Sequence, residues 1–304
     1  MKERGTHAVT GAFGFTGSYI ARRLLKCGRD VITLTNTPPE AHPLREAIAA
    51  YPLIFDQPEA LKRCLDGVSV LYNTYWIRFE YDSYTFEDAI RNSEILFRAA
   101  REAGVEKIVH ISITNPTEDS ELPYFRGKAR VEHCLEACGI PYTILRPALL
   151  FGENSILINN IAWLLRRFPV FGLFGDGAYR LCPIHVDDLA RMAVRHGSGE
   201  ERSVIDGVGP EIFTFRELVQ TIGAAIGVPR PLVPVPPWFG YFTARLLGHL
   251  TGDVLLTRDE IRGLMKNLLY VESPPTGGTR LSAWLQQHAE SLGRNYESEL
   301  ARRK

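Results

Sequence analysis

The sequence predicts an α/β protein: a doubly wound parallel sheet followed by a smaller C-terminal lobe. Three observations predict it. Short β-rich runs alternate with helically periodic segments through the first half. A glycine-spaced turn joins the first strand to the first helix. After Pro147 the rhythm changes to aromatic, glycine-rich and proline-rich segments. Strand–helix–strand repetition forces parallel pairing through right-handed crossovers, and it places ligand sites at the carboxyl ends of the strands.

His7-Ala8-Val9-Thr10 is the first strand. Ile20, Ala21, Leu24, Leu25 and Cys27 mark one face of the helix after it, which Gly28 closes. Val31 to Thr35 is the second strand, Leu53-Ile54-Phe55 the third, and Val68 to Tyr72 the fourth. Phe86, Ala89, Ile90, Leu96, Phe97 and Ala100 share a helix face that ends at Gly104. Lys107 to Ser112 is the fifth strand. A helix from Phe125 to Cys138 leads to the sixth, Tyr142 to Arg146, stopped by Pro147. Beyond it, Ile156 to Phe168 and Phe215 to Ile226 read as helices, and Ile184 to Arg195 as strand then helix. Val204 to Asp206 reads as a strand. Pro229 to Pro237 is too proline-rich for a regular element. Thr243 to Leu269 reads as helical, and the tail from Glu272 as polar and loosely held. The expected division is a nucleotide domain over 1–150, with 181–206 returning to it, and a substrate lobe over 151–180 and 207–304.

The chain has 304 residues, with 35 Lys+Arg against 35 Asp+Glu. That balance excludes a dedicated nucleic-acid binder. With 45% apolar and 23% charged residues it reads as globular rather than disordered. Five cysteines without a CxxC pair argue against a disulfide framework or a zinc site. No stretch has the length of a spanning helix, and the first residues run straight into a strand, so the expected compartment is cytoplasmic.

The turn Thr10-Gly11-Ala12-Phe13-Gly14-Phe15-Thr16-Gly17 carries the first chemical signal. Gly11 permits a tight turn, Gly14 a close backbone approach to a pyrophosphate, and Gly17 close packing of helix on sheet. Phe13, Phe15 and Thr16 complete this candidate cofactor loop. The helix start supplies N–H groups and positive potential for phosphate. The second strand ends in Thr35-Asn36-Thr37 with no carboxylate, so nothing at Asn36 or Thr37 repels a 2′-phosphate. The cofactor expected is NADP or NAD, with a lean to NADP. Asp56, after the third strand, reads as an adenine contact or as a helix N-cap.

Tyr124 and Lys128 stand four apart, on one helix face. A lysine charge beside a phenol favours its phenolate and makes it a usable acid or base near neutral pH. With these pieces in order the chain resembles the extended or atypical short-chain dehydrogenase/reductases of the NAD-dependent epimerase/dehydratase type. The matching residues are Gly11, Gly14 and Gly17; Asn92; Tyr124-x-x-x-Lys128; Leu145-Arg146-Pro147; Gly175-Asp176-Gly177; and His185-Val186-Asp187-Asp188. The nearest subgroup contains the nucleotide-binding accessory subunit of respiratory complex I. The resemblance implies a Rossmann-type sheet binding NAD(P). It implies that Tyr124 exchanges the proton and that Lys128 tunes it and grips the nicotinamide ribose. Thr114, or else Ser112, would be the hydroxyl partner. Asn92 would sit at the helix-bending or relay position, and Asn73 and Thr74 beside the nicotinamide. His185 with the two aspartates is structural in the family, so no metal is expected. Tyr75 and Trp76 depart from the family's small residues there, and either shape an apolar pocket or block it. Trp238-Phe239-Gly240-Tyr241-Phe242, with Leu246, Leu247 and Leu250 after it, reads as core packing, with a substrate-pocket lining, a dimer face or a membrane-surface contact as the alternatives.

Two functions follow. One is an oxidoreductase or epimerase acting on a small carbonyl, alcohol or sugar-type substrate. The other is a non-catalytic NADP(H)-binding assembly factor or redox-sensing partner. The expected partners are a small molecule and a second copy of the chain, the dimer being what the resemblance implies for the helices Phe86 to Ala103 and Phe125 to Cys138.

Overall fold

The computed structural model describes residues 5–81, 84–238, 240–242, 248 and 252–300. The chain divides into two compact units. One comprises residues 1–147 and 189–206, the other 148–188 and 207–304; residues 181–188 therefore fall in the second.

The first unit is a Rossmann-type layered α/β domain. Its sheet is built from β1 (Thr6–Thr10), β2 (Val31–Leu34), β3 (Ala49–Tyr51), β4 (Val68–Asn73), β5 (Lys107–Ile111), β6 (Tyr142–Pro147) and β11 (Ser203–Gly207), in the order β11-β6-β5-β4-β1-β2-β3. The β1–β2, β1–β4, β2–β3, β4–β5 and β5–β6 pairs are parallel. Strand order reverses between β1 and β4, and that crevice is where such sheets take ligands. The helices between them are α1 (Phe15–Lys26), α2 (Pro58–Cys64), α3 (Phe86–Glu102) and α4 (Pro123–Ala137). Strands β1, β4 and β5 are buried on both faces, as central parallel strands are, so they read as continuous apolar runs. Helix α1 buries Ile20, Ala21 and Leu24. Helix α3 opens with a capping box between Thr85 and Asp88 and buries Ile90, Leu96, Phe97 and Ala100. These side chains meet Val131, Leu135 and Ile144 in one apolar core.

The third strand is Ala49–Tyr51, not Leu53–Phe55. Pro52 ends the ladder because it has no N–H to donate. Leu53 is still buried, and its backbone pairs with a side chain: the Asn36 amide donates to the Leu53 carbonyl at 2.9 Å and accepts its N–H at 2.7 Å.

Among the described residues the second unit holds three two-stranded pairs. These are β7 (Leu150–Phe151) with β10 (Ile184–His185), β8 (Phe171–Phe174) with β13 (Leu232–Val235), and β9 (Arg180–Leu181) with β12 (Phe213–Thr214). Its helices include α5 (Ile156–Arg167), α6 (Val186–Arg195, continuing into the first unit), α7 (Phe215–Ala225), α8 (Arg258–Met265) and α9 (Leu281–Gln287).

Four expectations fail in this unit. The proline-rich segment contains β13, which tolerates Pro234 because it belongs to a two-stranded pair rather than a central strand. The helix expected over Thr243 to Leu269 is not continuous. Gly252 takes φ +63°, residues 254–257 form no regular element, and Thr257 and Glu260 form a capping box that starts α8 afresh. The tail is held rather than loose. Leu281, Trp284, Leu285 and Leu292 enter the core of this unit, Arg166 donates to the carbonyls of Leu292 and Ala289, and buried Asp253 accepts from Tyr296 and two tail amides. Core packing also fails for Trp238 and Phe242, which are 72% and 61% exposed. Phe239, Leu246, Leu247 and Leu250 lie outside the described residues.

The His185-Val186-Asp187-Asp188 stretch is a local staple within this unit. The Asp188 carboxylate accepts the N–H groups of Gly278 and Thr279 at 2.9 and 2.7 Å. Among the described residues no group of three His, Cys, Asp or Glu side chains is placed to hold a metal ion, and none of the five cysteines is in a disulfide. No described helix is long and apolar enough to cross a membrane.

Candidate active site

The glycine turn lies at the carboxyl end of β1, beside the point of strand reversal. Gly11 has φ +64°, a left-handed conformation that favours glycine. A Cβ on Gly17 would lie 2.2 Å from the Gly11 carbonyl oxygen, so α1 packs on the turn only because that atom is missing. Gly14 donates to the Gly11 carbonyl at 2.9 Å and caps α1 without a side chain. The amides of Phe15, Thr16 and Gly17 form the first turn of the helix, where N–H groups have no intrahelical acceptor. The cradle therefore fits a diphosphate: glycines that a Cβ would fill, and a helix start presenting donors. Phe13 meets His42 edge-on at 5.1 Å, which folds the segment after β2 toward the loop.

At the adenosine end, Asn36 and Thr37 are exposed, and the Asn36 amide is engaged with Leu53. Asp56 is exposed and precedes Gln57, the residue that caps α2, so the N-cap reading of Asp56 does not hold.

A buried network fixes the strand ends. The Thr10 hydroxyl receives the N–H groups of Thr74 and Tyr75 at 2.7 and 3.1 Å, and the Thr74 hydroxyl donates to the Thr10 carbonyl at 2.6 Å. Asn73 Oδ1 accepts the Tyr75 N–H at 3.1 Å, so its NH2 group faces His110 Nδ1 at 3.0 Å. That assignment puts the imidazole proton on Nε2, which is buried with no hydrogen-bond partner. Burial, with the Lys128 charge nearby, holds His110 neutral, well below the usual histidine range.

Helix α4 carries the candidate acid/base pair. Tyr124 is its second residue and partly exposed; Lys128 is buried one turn later. Lys128 Nζ donates to the Ile111 carbonyl at the end of β5, at 2.8 Å, and stands 5.0 Å from the centre of the Trp76 ring. Burial lowers its pKa to about 7, with the Glu132 charge pulling upward. Glu132 itself is bridged to Arg146.

Trp76 is the residue this site turns on. A Cβ at Gly127 would lie 2.9 Å from its Cη2 and 3.2 Å from its Cζ2, so the indole rests in a notch that a glycine leaves in α4. Phe86 lies nearly parallel to it at 5.8 Å, and Tyr124 meets it edge-on at 6.0 Å. Its Nε1 is buried and unpartnered. The Ser112 hydroxyl is buried and likewise unpartnered, and Thr114 is fully buried. The Asn92 amide is taken up elsewhere, donating to the phenols of Tyr75 at 3.1 Å and Tyr84 at 2.5 Å. Those two phenols are bonded to each other, and burial first, then that bond, raises the Tyr75 pKa.

The structure thus gathers Tyr124, Lys128 and Trp76 on one face and sets Asn92 in a separate phenol cluster. Gly127 and Tyr84 escaped the sequence reading. An isolated glycine inside a helical pattern was the available signal for Gly127; nothing local marks Tyr84.

Residues 7–201 match the NAD dependent epimerase/dehydratase family, and the chain belongs to it. The mitochondrial NADH dehydrogenase [ubiquinone] 1 alpha subcomplex subunit 9 of Arabidopsis thaliana is 26% identical over 288 residues, spanning 84% of this chain and 71% of that protein. Among solved structures, the Citrobacter sp. triphenylmethane reductase complexed with NADP(H) superposes with a TM-score of 0.72 at 22% identity, over 93% of this chain and 99% of that one. The UDP-glucose 4-epimerase of Thermotoga maritima with UDP-glucose gives 0.65 at 20% identity, over 76% and 85%. These two likenesses are of fold.

Proposed function

We propose that the protein binds a nicotinamide dinucleotide, with a lean to NADP(H), and reduces or oxidises a small carbonyl or alcohol. The observation that carries this reading is the glycine cradle beside the β1/β4 reversal, in the same sheet domain as the Tyr124/Lys128 helix. Both α1 and α4 start at the carboxyl edge of a parallel sheet. The backbone from Gly11 to Gly17 would hold the diphosphate, with Phe13, Phe15 and Thr16 around it. Asn73, Thr74 and Lys128 would flank the nicotinamide half. When bound, the dinucleotide supplies or accepts the hydride. Tyr124 Oη gives its proton to the carbonyl oxygen in reduction and takes it back in oxidation. Lys128, held by Ile111, places a titratable ammonium one turn from that phenol. Ser112, or Thr114, orients the reacting oxygen. Thr35-Asn36-Thr37, directly after β2, carries no carboxylate, which favours a 2′-phosphate over its exclusion.

Tyr124→Phe tests the role. Turnover of a carbonyl panel with NADPH should fall at least about a hundredfold, with NADP+ affinity within twofold of wild type. Undiminished turnover refutes it.

A second reading has its own support. Trp76 lies against both Tyr124 and Lys128, and the Arabidopsis relative is named as a subunit of a larger assembly. On that reading the chain holds the dinucleotide as a structural or sensing ligand. Tight NADP(H) binding with no redox turnover on any carbonyl or alcohol distinguishes it.

A further inference from the structure

The face of α4 that carries Tyr124 is lined with aromatic carbon. Trp76, Phe86 and Tyr124 are all partly exposed, and their ring centres lie 5.8–6.0 Å apart. The one polar atom of the indole, Nε1, is buried, so what Trp76 still presents is hydrocarbon. Phe86 has no polar atom to present. The three Lys and Arg side chains of α4 are each engaged: Arg126 with the Ser120 carbonyl, Lys128 with the Ile111 carbonyl, and Arg130 with Glu87. On this helix a diphosphate-bearing substrate meets a Lys128 that is buried, an Arg130 paired with Glu87, and an Arg126 turned to the Ser120 carbonyl. A flat aromatic body would meet a surface whose own rings already lie at the separations that aromatic pairs prefer.

Building on the oxidoreductase reading, we infer that the compound served by Tyr124 is an uncharged aromatic carbonyl seated against Trp76 and Phe86, not a sugar nucleotide. Gly127 is then a specificity element, since the notch it leaves is what lets the indole lie there. Trp76 acts as a wall that selects the substrate body; it takes no part in the proton transfer.

The test is equilibrium binding to the full chain, with and without NADP+, measured by calorimetry. The probes are 2-acetylnaphthalene, its fully saturated counterpart 2-acetyldecalin, and UDP-glucose. Wild type should bind 2-acetylnaphthalene at least tenfold more tightly than either of the others. Trp76→Leu should lose about tenfold for 2-acetylnaphthalene, and Trp76→Phe should stay within threefold of wild type. NADP+ affinity should be within twofold in both variants, which reports an intact dinucleotide site. If Trp76→Leu does not fold, the probe comparison on wild type and Trp76→Phe decides. Equal affinity for the saturated ketone, tighter binding of UDP-glucose, or a folded Trp76→Leu that binds the aromatic ketone unchanged would overturn the inference. Because the readout is binding, absence of turnover refutes the oxidoreductase reading alone. NADP+ binding and turnover without aromatic preference refute this inference alone.

Discussion

Replacing Gly127 by Ala sets two well-understood effects against each other. Inside a helix, alanine is favoured over glycine by about 1 kcal/mol, because glycine loses more backbone freedom on ordering. At this position the new methyl would meet Trp76 Cη2 at 2.9 Å and Cζ2 at 3.2 Å, and Ile90 Cδ1 at an ordinary 3.6 Å. The indole is a rigid plate with Phe86 parallel to it and Tyr124 against it, so it yields only by moving with its neighbours. Overpacking of that kind costs about 1–3 kcal/mol. The net expectation for Gly127→Ala is a loss of roughly 0–2 kcal/mol. In a Trp76→Leu background the clash is gone, and the same change should stabilise by about 1 kcal/mol. The cycle therefore carries a coupling of about 1–3 kcal/mol. Urea unfolding followed by far-ultraviolet circular dichroism reads all four proteins without relying on Trp76 emission. A gain of about 1 kcal/mol from Gly127→Ala in both backgrounds, with no coupling, would show that the indole does not occupy the notch.

Three further outcomes follow from the same geometry. Lys128 has its folded pKa lowered to about 7, so between pH 7 and its unfolded value the unfolded chain binds the extra proton and stability rises with pH. Relative to Lys128→Met, wild type should gain about 1.4 kcal/mol per pH unit around pH 8–9 in denaturant titrations; a pH-independent difference contradicts burial of the amine. Gly17→Ala, whose Cβ meets backbone at 2.2 Å, should abolish NADP+ binding and destabilise the fold. Gly11→Ala has room and only a left-handed φ to bear, so it should cost about 1–2 kcal/mol; calorimetric unfolding that ranks them in reverse order refutes the packing argument. Asn36→Ala strips the Leu53 backbone of two partners and should cost about 1–3 kcal/mol in thermal unfolding without a dinucleotide present, whereas a residue serving the cofactor alone would leave the apoprotein's stability unchanged.

Much of the first unit was legible in the chain itself. The alternation of apolar runs with helically periodic ones depends on neighbours a few residues apart, so parallel strands, crossover helices and the carboxyl-edge location of the glycine turn followed from spacing. The glycine turn was legible for the same reason: Gly11, Gly14 and Gly17 are separated by single turns of chain. Tyr124 and Lys128 were legible because a helix places fourth neighbours together. The strand at Leu53 was misplaced because burial alone does not say what satisfies a backbone. There a side chain 17 residues away took the place of a strand. The tail was misread because its apolar residues, Leu281, Trp284 and Leu285, are few and sit in a polar setting.

What each polar side chain does with its hydrogen bonds was decided only by the tertiary structure. Asn36 reads as a cofactor contact and Asn92 as a helix-bending or relay residue; the fold bonds the one to the Leu53 backbone and the other to two phenols. Burial of Lys128, the anchoring of its ammonium on a strand carbonyl, and the seat of Trp76 in the Gly127 notch all depend on residues far apart in sequence meeting in space. A pattern along the chain specifies which faces are apolar. Which atoms lie within three ångströms of one another, and so which charges are stabilised, is set by packing between elements.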